Sequence, residues 1–292
     1  MPPDPVETFD ISSEGPFNAL QKRLGLIRDG QRNIGRRVLL FVLIAWGMPL
    51  VLSVFGGPGA GLPAMKEYLG ELSIWARYFL AIALFVIMEK QAGAQLRDLL
   101  KQLFDSPILS RAARAPASEA VTWAVRRFGS PWSELACLLA AIAVSWILHV
   151  RLAAAGDFSW ARQPGEAGAY VTAAGWWVIA VSNPLFSFLL FRWFWRFVVW
   201  CGLLKSLASL EMRLVSTHPD GRGGMGFIGA YPNAFLLLVL AIGSVIGAML
   251  ATQLVQGSLE ASLGHTSWEP GWCWCWLLSA PRCCRSTSRS PG

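Results

Sequence analysis

The densest group of chemically capable side chains is a polar, glycine-rich run at residues 217–227, with the sequence THPDGRGGMGF. A histidine and an aspartate at this spacing are typical of a base with its orienting partner, or of metal ligands. An arginine two residues further on can hold a phosphate or carboxylate through two parallel hydrogen bonds, and glycines let backbone N–H groups approach a ligand. The run therefore predicts a ligand or ion site formed by His218, Asp220, Arg222, Gly223 and Gly224.

The same run also fits a structural turn, in which Pro219 ends one helix and the glycines let the chain reverse. Catalysis is the least favoured of the three interpretations. The chain has no nucleophile elbow, no zinc-protease motif and no paired catalytic carboxylates, and its glycines lack the lysine of a phosphate-binding loop. The His-Pro-Asp tripeptide also occurs in the J-domains of co-chaperones, but here an apolar span follows it. We therefore predict no catalytic residue, no metal ion and no cofactor, and favour a protein that is not an enzyme.

Long apolar stretches must position this run. A helix that crosses the hydrocarbon core needs about 20 mainly apolar residues. Five stretches approach this length with at most one Asp, Glu, Lys or Arg each: Val38–Phe55, Leu72–Met88, Ser133–Val150, Ala169–Phe191 and Ala234–Val255. The composition agrees, because 15% of the residues are charged, against about 25% in soluble domains. The sequence predicts an all-α polytopic transmembrane helix bundle with five spans, and six in an intact relative, carrying cytoplasmic amphipathic helices.

Basic residues predict the orientation. Lysine and arginine number six in residues 1–37, one in 56–71, seven in 89–131, two in 151–165 and five in 192–224. Because Lys and Arg collect on the cytoplasmic side, the first, third and fifth of these segments are predicted to be cytoplasmic. The same rule accounts for the net charge of +7 through anionic lipid headgroups. We therefore predict that the protein binds the lipid bilayer and does not bind nucleic acid.

The composition divides the chain into three parts. Residues 1–37 form a cytoplasmic N-terminal amphipathic segment. Residues 38–263 form the transmembrane bundle, with cytoplasmic loops at 89–131 and 192–228. Residues 264–292 form an aberrant tail rich in Trp, Cys, Arg, Ser and Pro, without helical or strand periodicity. This composition fits a frameshift in a GC-rich gene that replaces a final span; the alternative is a genuine disordered tail.

Few ionisable groups fall inside the predicted spans. Arg77 is expected to snorkel to the headgroups from one end of its span, and Glu89 and Glu134 are expected at inner ends. Arg192 and Arg196, which alternate with tryptophans, indicate an aromatic-basic belt at the headgroup level. No ionisable residue is expected near the middle of a span, which counts against a proton-coupled carrier.

Two features concern helix packing. Asn183-Pro184 predicts a kink in the fourth span, in which the asparagine bonds either the carbonyl that proline frees or a neighbouring helix. The alternative is a contact with a substrate or ion. Small residues recur every four positions at Gly243, Gly247 and Ala251. They predict close approach of another helix, either from the same chain or from a second subunit.

The chain resembles an uncharacterised family of bacterial multi-pass membrane proteins over roughly residues 14–260. The residues that carry this likeness are Gly15-Pro16-Phe17, Leu24-Gly25-Leu26, Arg36-Arg37, Trp46 with Pro49-Leu50, Arg77 through Glu89, His218-Pro219-Asp220 and Gly223-Gly224-Met225-Gly226-Phe227. The resemblance implies an inner-membrane protein of about six helices and assigns no activity. Family members continue with another apolar helix where this chain has its aberrant tail.

These observations favour a channel- or transporter-like protein of the bacterial cytoplasmic (inner) membrane, with its N-terminus in the cytoplasm. The alternatives are a membrane scaffold or sensor that binds a partner protein through its cytoplasmic loops, and a lipid- or phosphate-processing membrane enzyme. A homo-oligomer or a partner membrane protein is also expected.

Overall fold

The computed structural model describes residues 15–23, 25, 34–155, 160–165, 168–211 and 226–255. The regular secondary structure of these residues is helical apart from one pair of short strands, which confirms the all-α prediction. The predicted ligand residues His218, Asp220, Arg222, Gly223 and Gly224 lie outside the described residues, as does the predicted tail at 264–292.

The structure describes eleven α-helices in chain order. They are α1 (Pro16–Arg23), α2 (Ile34–Val42), α3 (Met48–Phe55), α4 (Leu62–Gly70), α5 (Leu72–Ile74), α6 (Ile82–Asp105), α7 (Arg111–Phe128), α8 (Pro131–Ala155), α9 (Ala173–Trp177), α10 (Asn183–Ala208) and α11 (Leu236–Val255). A 3-10 helix, Gly226–Phe235, leads into α11. Strands β1 (Arg162–Gly165) and β2 (Gly168–Val171) form an antiparallel hairpin.

Five helical segments in the described part of the chain are long and apolar enough to cross a membrane. They are Ile34–Phe55, Leu72–Asp105, Pro131–Arg151, Ala173–Ala208 and Tyr231–Leu254. These segments coincide with the five predicted spans. The second and fourth extend beyond the apolar stretches, because α6 continues into the predicted loop 89–131 and α10 continues to Ala208.

The chain divides into two compact units, which we call unit A and unit B. Unit A comprises Met1–Arg37, Phe85–Cys137 and Leu190–Val239. Unit B comprises Val38–Leu84, Leu138–Leu189 and Leu240–Gly292.

In unit A, α7 is an amphipathic helix inside the predicted loop 89–131. Its N-cap is Ser110, whose hydroxyl accepts a hydrogen bond from the backbone N–H of Ala113 at 3.1 Å and so satisfies one of the free donors of the first turn. Its buried face recurs at helical spacing through Ala113, Ala117, Val121, Ala124 and Phe128.

In unit B, three spans are interrupted by π-helical segments, which are rare and are frequent at functional sites. We call them π1 (Leu43–Gly47), π2 (Trp75–Ala81) and π3 (Val178–Ser182). The first packs against the other two. π1 and π3 each lie just before a proline, Pro49 and Pro184.

The two prolines account for the side-chain hydrogen bonds made to these segments. Pro49 has no N–H, so it cannot donate to the carbonyls of Ile44 and Ala45, which lie five and four residues before it. Trp177 donates to the Ile44 carbonyl at 2.9 Å, and Ser182 donates to the Ala45 carbonyl at 2.8 Å. The backbone acceptors that Pro49 leaves open are thus satisfied by another span, as burial in an apolar bundle requires.

Pro184 has the same effect in the fourth span. The carbonyl of Ile179, five residues before it, accepts a hydrogen bond from the Ser145 hydroxyl at 2.6 Å. Asn183 does not bond the freed carbonyl, since its side-chain oxygen accepts a hydrogen bond from Tyr78 of π2. Of the two hydrogen-bond partners predicted for Asn183, the structure therefore shows the neighbouring helix.

Aromatic side chains contribute to the described core of unit B. Tyr68 of α4 is fully buried and donates to the Trp46 carbonyl at 2.8 Å. The Trp46 ring lies 4.6 Å from that of Trp75, and the Tyr68 ring lies 4.9 Å from that of Trp160. This packing fixes α4, which the sequence predicted only as part of a loop, against the spans.

Candidate functional site

The structure buries a group of charged side chains in unit A, which we call the charge cluster. Its members are Arg37, Glu89, Glu134, Arg192 and Arg196, and each is at most 6% exposed. They come from α2, α6, α8 and α10, so that the cluster connects four of the five candidate spans. Burial of charged side chains in membrane spans is expensive and by default marks a functional site.

Arg192 lies at the centre of the charge cluster. Its Nη1 donates to Glu89 Oε1 at 2.7 Å, and its Nε donates to Glu134 Oε1 at 3.0 Å. One guanidinium thus holds carboxylates from two different helices, which the planar fork of arginine favours.

Glu89 joins three arginines. Its Oε1 contacts Arg192 and also lies 3.5 Å from Nη1 of Arg196, while its Oε2 accepts a hydrogen bond from Nη2 of Arg37. Arg192 and Arg196 reach the same carboxylate because residues four apart share one helix face. The Arg196 guanidinium also stacks on the Trp193 ring, 4.8 Å from its centroid.

The N-terminal helix completes the surroundings of Glu134. The backbone N–H of Phe17 donates to Glu134 Oε2 at 2.7 Å, and the Arg192 guanidinium lies 4.8 Å from the centre of the Phe17 ring. Gly15 has a φ of +119° and lies so close that an added Cβ would be 2.7 Å from Glu134 Oε1. Only glycine meets both conditions without strain. Gly15 and Phe17 therefore close the charge cluster at Glu134.

The burial of these charges was not predicted. Arg192 and Arg196 were expected in a belt at the headgroups, and Glu89 and Glu134 at inner span ends, and the structure buries all four against one another. The missed signal lies in helix periodicity. Glu89 occupies a place in the buried stripe of α6, four residues after Phe85 and seven before Leu96.

A second buried charge lies in unit B, in the π-helical segment π2. Arg77 is 8% exposed, and its guanidinium lies about 6 Å from the rings of Tyr78 and Phe186, with centroid distances of 6.0 and 5.9 Å. Its Nη2 contacts the sulfur of Met249 at 4.0 Å. The expectation that Arg77 snorkels to the headgroups was wrong, because aromatic rings and a methionine enclose it. We call these four residues, with Asn183 bonded to Tyr78, the Arg77 site.

The predicted helix-packing residues lie on α11. A Cβ built on Gly243 or Gly247 would meet no described atom within 4 Å, so this face is open within the described part of the chain. Close packing of another helix at Gly243, Gly247 and Ala251 stays a prediction. Among the residues that the structure describes, no group of three or more His, Cys, Asp or Glu side chains could hold a metal ion.

A comparison of the chain with known protein families, curated protein sequences and solved structures gives no match. The class of protein therefore rests on the fold and on the buried charges. Five apolar helices of spanning length identify a multi-pass membrane protein.

Proposed function

We propose that the protein is channel- or transporter-like, and that the charge cluster closes its pathway in unit A. The observation that carries the proposal is the burial of Glu89 between three arginines from two other helices. Charged residues buried in membrane spans mark substrate and ion pathways more often than they serve stability, because their desolvation is so costly.

The cluster has the properties that a closure needs. It draws together α2, α6, α8 and α10 through Glu89 and Glu134, and every contact is a charge-assisted hydrogen bond or an ion pair. Such contacts are broken as a set when one helix moves, since the remaining charges are left buried without partners. Two discrete arrangements follow, one joined and one separated, as a gate requires.

The N-terminal helix belongs to the same closure. Phe17 covers Arg192 and holds Glu134 through its backbone N–H. Displacement of α1 exposes both residues, so the segment 15–23 acts as a plug over the charge cluster.

We also propose the bacterial cytoplasmic membrane as the location, with the N-terminus in the cytoplasm. The distribution of lysine and arginine and the resemblance to bacterial membrane proteins support this orientation. Reporter fusions after Gly57, Pro131 and Gly165 test it. The fusion at Pro131 should report the cytoplasm and the other two the opposite side; three fusions on one side contradict it.

The lipid bilayer is the proposed solvent of the apolar faces, and a second helix is the proposed partner of the open face at Gly243, Gly247 and Ala251. Replacement of Gly247 by leucine should weaken any homo-oligomer that light scattering detects in detergent. An oligomer unchanged by this substitution excludes that face as its interface.

Flux measurements on the purified full chain test the proposal itself. Proteoliposomes are loaded with potassium chloride, and the release of each ion is compared with that from protein-free liposomes. We expect a rate above the protein-free baseline for at least one ion in the Glu89→Gln variant, whose closure is loosened. Baseline rates for both ions in the wild type and in this variant, with both proteins folded, contradict the proposal.

A further inference from the structure

The Arg77 site carries an inference that goes beyond the proposed function and does not depend on it. Its basis is a buried positive charge that has no carboxylate partner among the described residues. The ion pairs in the described part of the chain join Arg37, Arg192 and Arg196 to Glu89 and Glu134, and none of them involves Arg77. The Nε of Arg77 is buried and has no hydrogen-bond partner among the described residues.

The described neighbours of Arg77 do not balance its charge, because the Tyr78 hydroxyl, which interacts with the guanidinium, is a neutral group. A thioether sulfur is a weak acceptor, and the Met249 sulfur is 4.0 Å from Nη2. The ring contacts are at the outer limit of a cation–π interaction, near 6 Å. A guanidinium keeps its positive charge inside proteins, so a buried one needs a compensating negative charge.

The backbone explains how the charge reaches the interior. π2 inserts extra residues into a turn of the second span and turns Arg77 inward beside Tyr78. The Tyr78 hydroxyl donates to the side-chain oxygen of Asn183, and no described residue accepts a hydrogen bond from the amide N–H groups of Asn183. The site thus combines a fixed positive charge with nearby polar groups and an otherwise apolar wall.

We infer that Arg77 binds an anion of a single negative charge, with the guanidinium as its main ligand. The class comprises halide ions and small carboxylates. A single charge balances that of Arg77, and the Nε together with an Nη of one guanidinium matches one carboxylate or one halide. The anion occupies the side of Arg77 on which Nε lacks a partner.

Anion-dependent stability of the purified full chain in detergent tests this inference. The thermal unfolding midpoint is measured while sodium chloride or sodium acetate replaces sodium gluconate at constant ionic strength, because gluconate is too bulky for a buried site. Since a ligand that binds only the folded state stabilises it, the midpoint should rise and saturate with chloride or acetate. The anion whose effect on the midpoint saturates at the lower concentration is the preferred ligand, either a halide or a small carboxylate. A wild-type midpoint indifferent to both anions overturns the inference.

Two variants separate binding at Arg77 from a general salt effect. Arg77→Met should abolish the saturable rise, and in gluconate it should unfold at a higher temperature than the wild type, because an unbalanced buried charge is replaced by an apolar chain of similar length. The matched control is Arg126→Met, which makes the same change at an exposed arginine of α7 and should leave the saturable rise intact. A saturable rise that persists in Arg77→Met, or a lower midpoint of that variant in gluconate, contradicts the assignment.

Discussion

Replacement of Glu89 by glutamine tests the charge cluster most severely. Glu89 is 5% exposed and contacts Arg37, Arg192 and Arg196. The substitution keeps the shape of the side chain and removes its charge. The three guanidiniums then remain buried near one another, with Glu134 as the remaining carboxylate of the charge cluster.

The magnitude follows from what each partner loses. Removal of one member of a buried ion pair costs about 3–5 kcal/mol, mostly because the other member stays buried without compensation. Glutamine retains one acceptor oxygen and can keep one hydrogen bond, so we expect a loss of about 3 kcal/mol in the free energy of unfolding. Glu89→Ala, which keeps no acceptor, should lose about 5 kcal/mol.

Unfolding of the full chain by sodium dodecyl sulfate in mixed micelles, followed by circular dichroism, measures these losses. Glu119→Gln is the matched control, because Glu119 is exposed on α7 and should change the free energy by at most about 0.5 kcal/mol. A loss below about 1 kcal/mol in the free energy of unfolding for Glu89→Gln would refute the reasoning, since removal of a buried charge leaves its three partners uncompensated.

A double-mutant cycle separates the interaction between Arg37 and Glu89 from other effects of each substitution. Arg37→Gln and Glu89→Gln should together cost less than the sum of the two single changes, because the second substitution removes the charge that the first leaves unbalanced. We expect a coupling of about 1–3 kcal/mol between them. Additive effects would mean that the contact between Arg37 and Glu89 contributes nothing of its own.

Three further outcomes follow from the described contacts. Gly15→Ala should destabilise the protein by more than about 1 kcal/mol, because Gly15 has a positive φ and lies close to Glu134. Gly35→Ala, with open space around the added Cβ, should be neutral or stabilising. Equal effects of the two substitutions on unfolding in mixed micelles would contradict this prediction. Ser182→Ala should lower the free energy of unfolding by about 1–3 kcal/mol, because it leaves the Ala45 carbonyl unsatisfied. The loss should be smaller in a Pro49→Ala background, which restores a backbone donor. An equal loss in both backgrounds would show that Pro49 does not leave the Ala45 carbonyl open. Burial raises the pKa of the Tyr68 hydroxyl above its usual value of about 10. The contribution of this group to the free energy of unfolding should therefore be constant below pH about 10 and fall as the pH rises further. Tyr68→Phe should remove this part of the decline in stability at alkaline pH, and an unchanged dependence on pH would contradict the assignment.

The sequence predicted the spans well because apolar length depends only on composition. Each of the five observed helices contains or overlaps the stretch predicted for it, since a chain in lipid must satisfy its backbone by forming helices. The pairing of charges was not predicted, because it depends on which helix face turns inward. Arg192 and Arg196 look alike in a headgroup belt and in a core, and only their partners Glu89 and Glu134 distinguish the two.

The π-helical segments were only partly foreseen. Pro184 predicted a kink, and the interruption does lie beside it, at Val178–Ser182. No proline marks the segment Trp75–Ala81, so nothing in the spacing of apolar residues indicated that Arg77 turns inward. The predicted ligand residues at 218–224 fall outside the described residues, and a ligand or ion site there stays a prediction.

The central claim is that the charge cluster keeps a pathway closed. The ratio of ion release rates from two kinds of proteoliposome tests this claim. Proteoliposomes containing Glu89→Gln and Glu119→Gln, prepared side by side at equal protein content, are compared for passive release of potassium and chloride. Release should be at least about tenfold faster for Glu89→Gln, because each 1.4 kcal/mol removed from the stability of the closed state favours opening about tenfold. A ratio near one for both ions, with both variants folded, would contradict it.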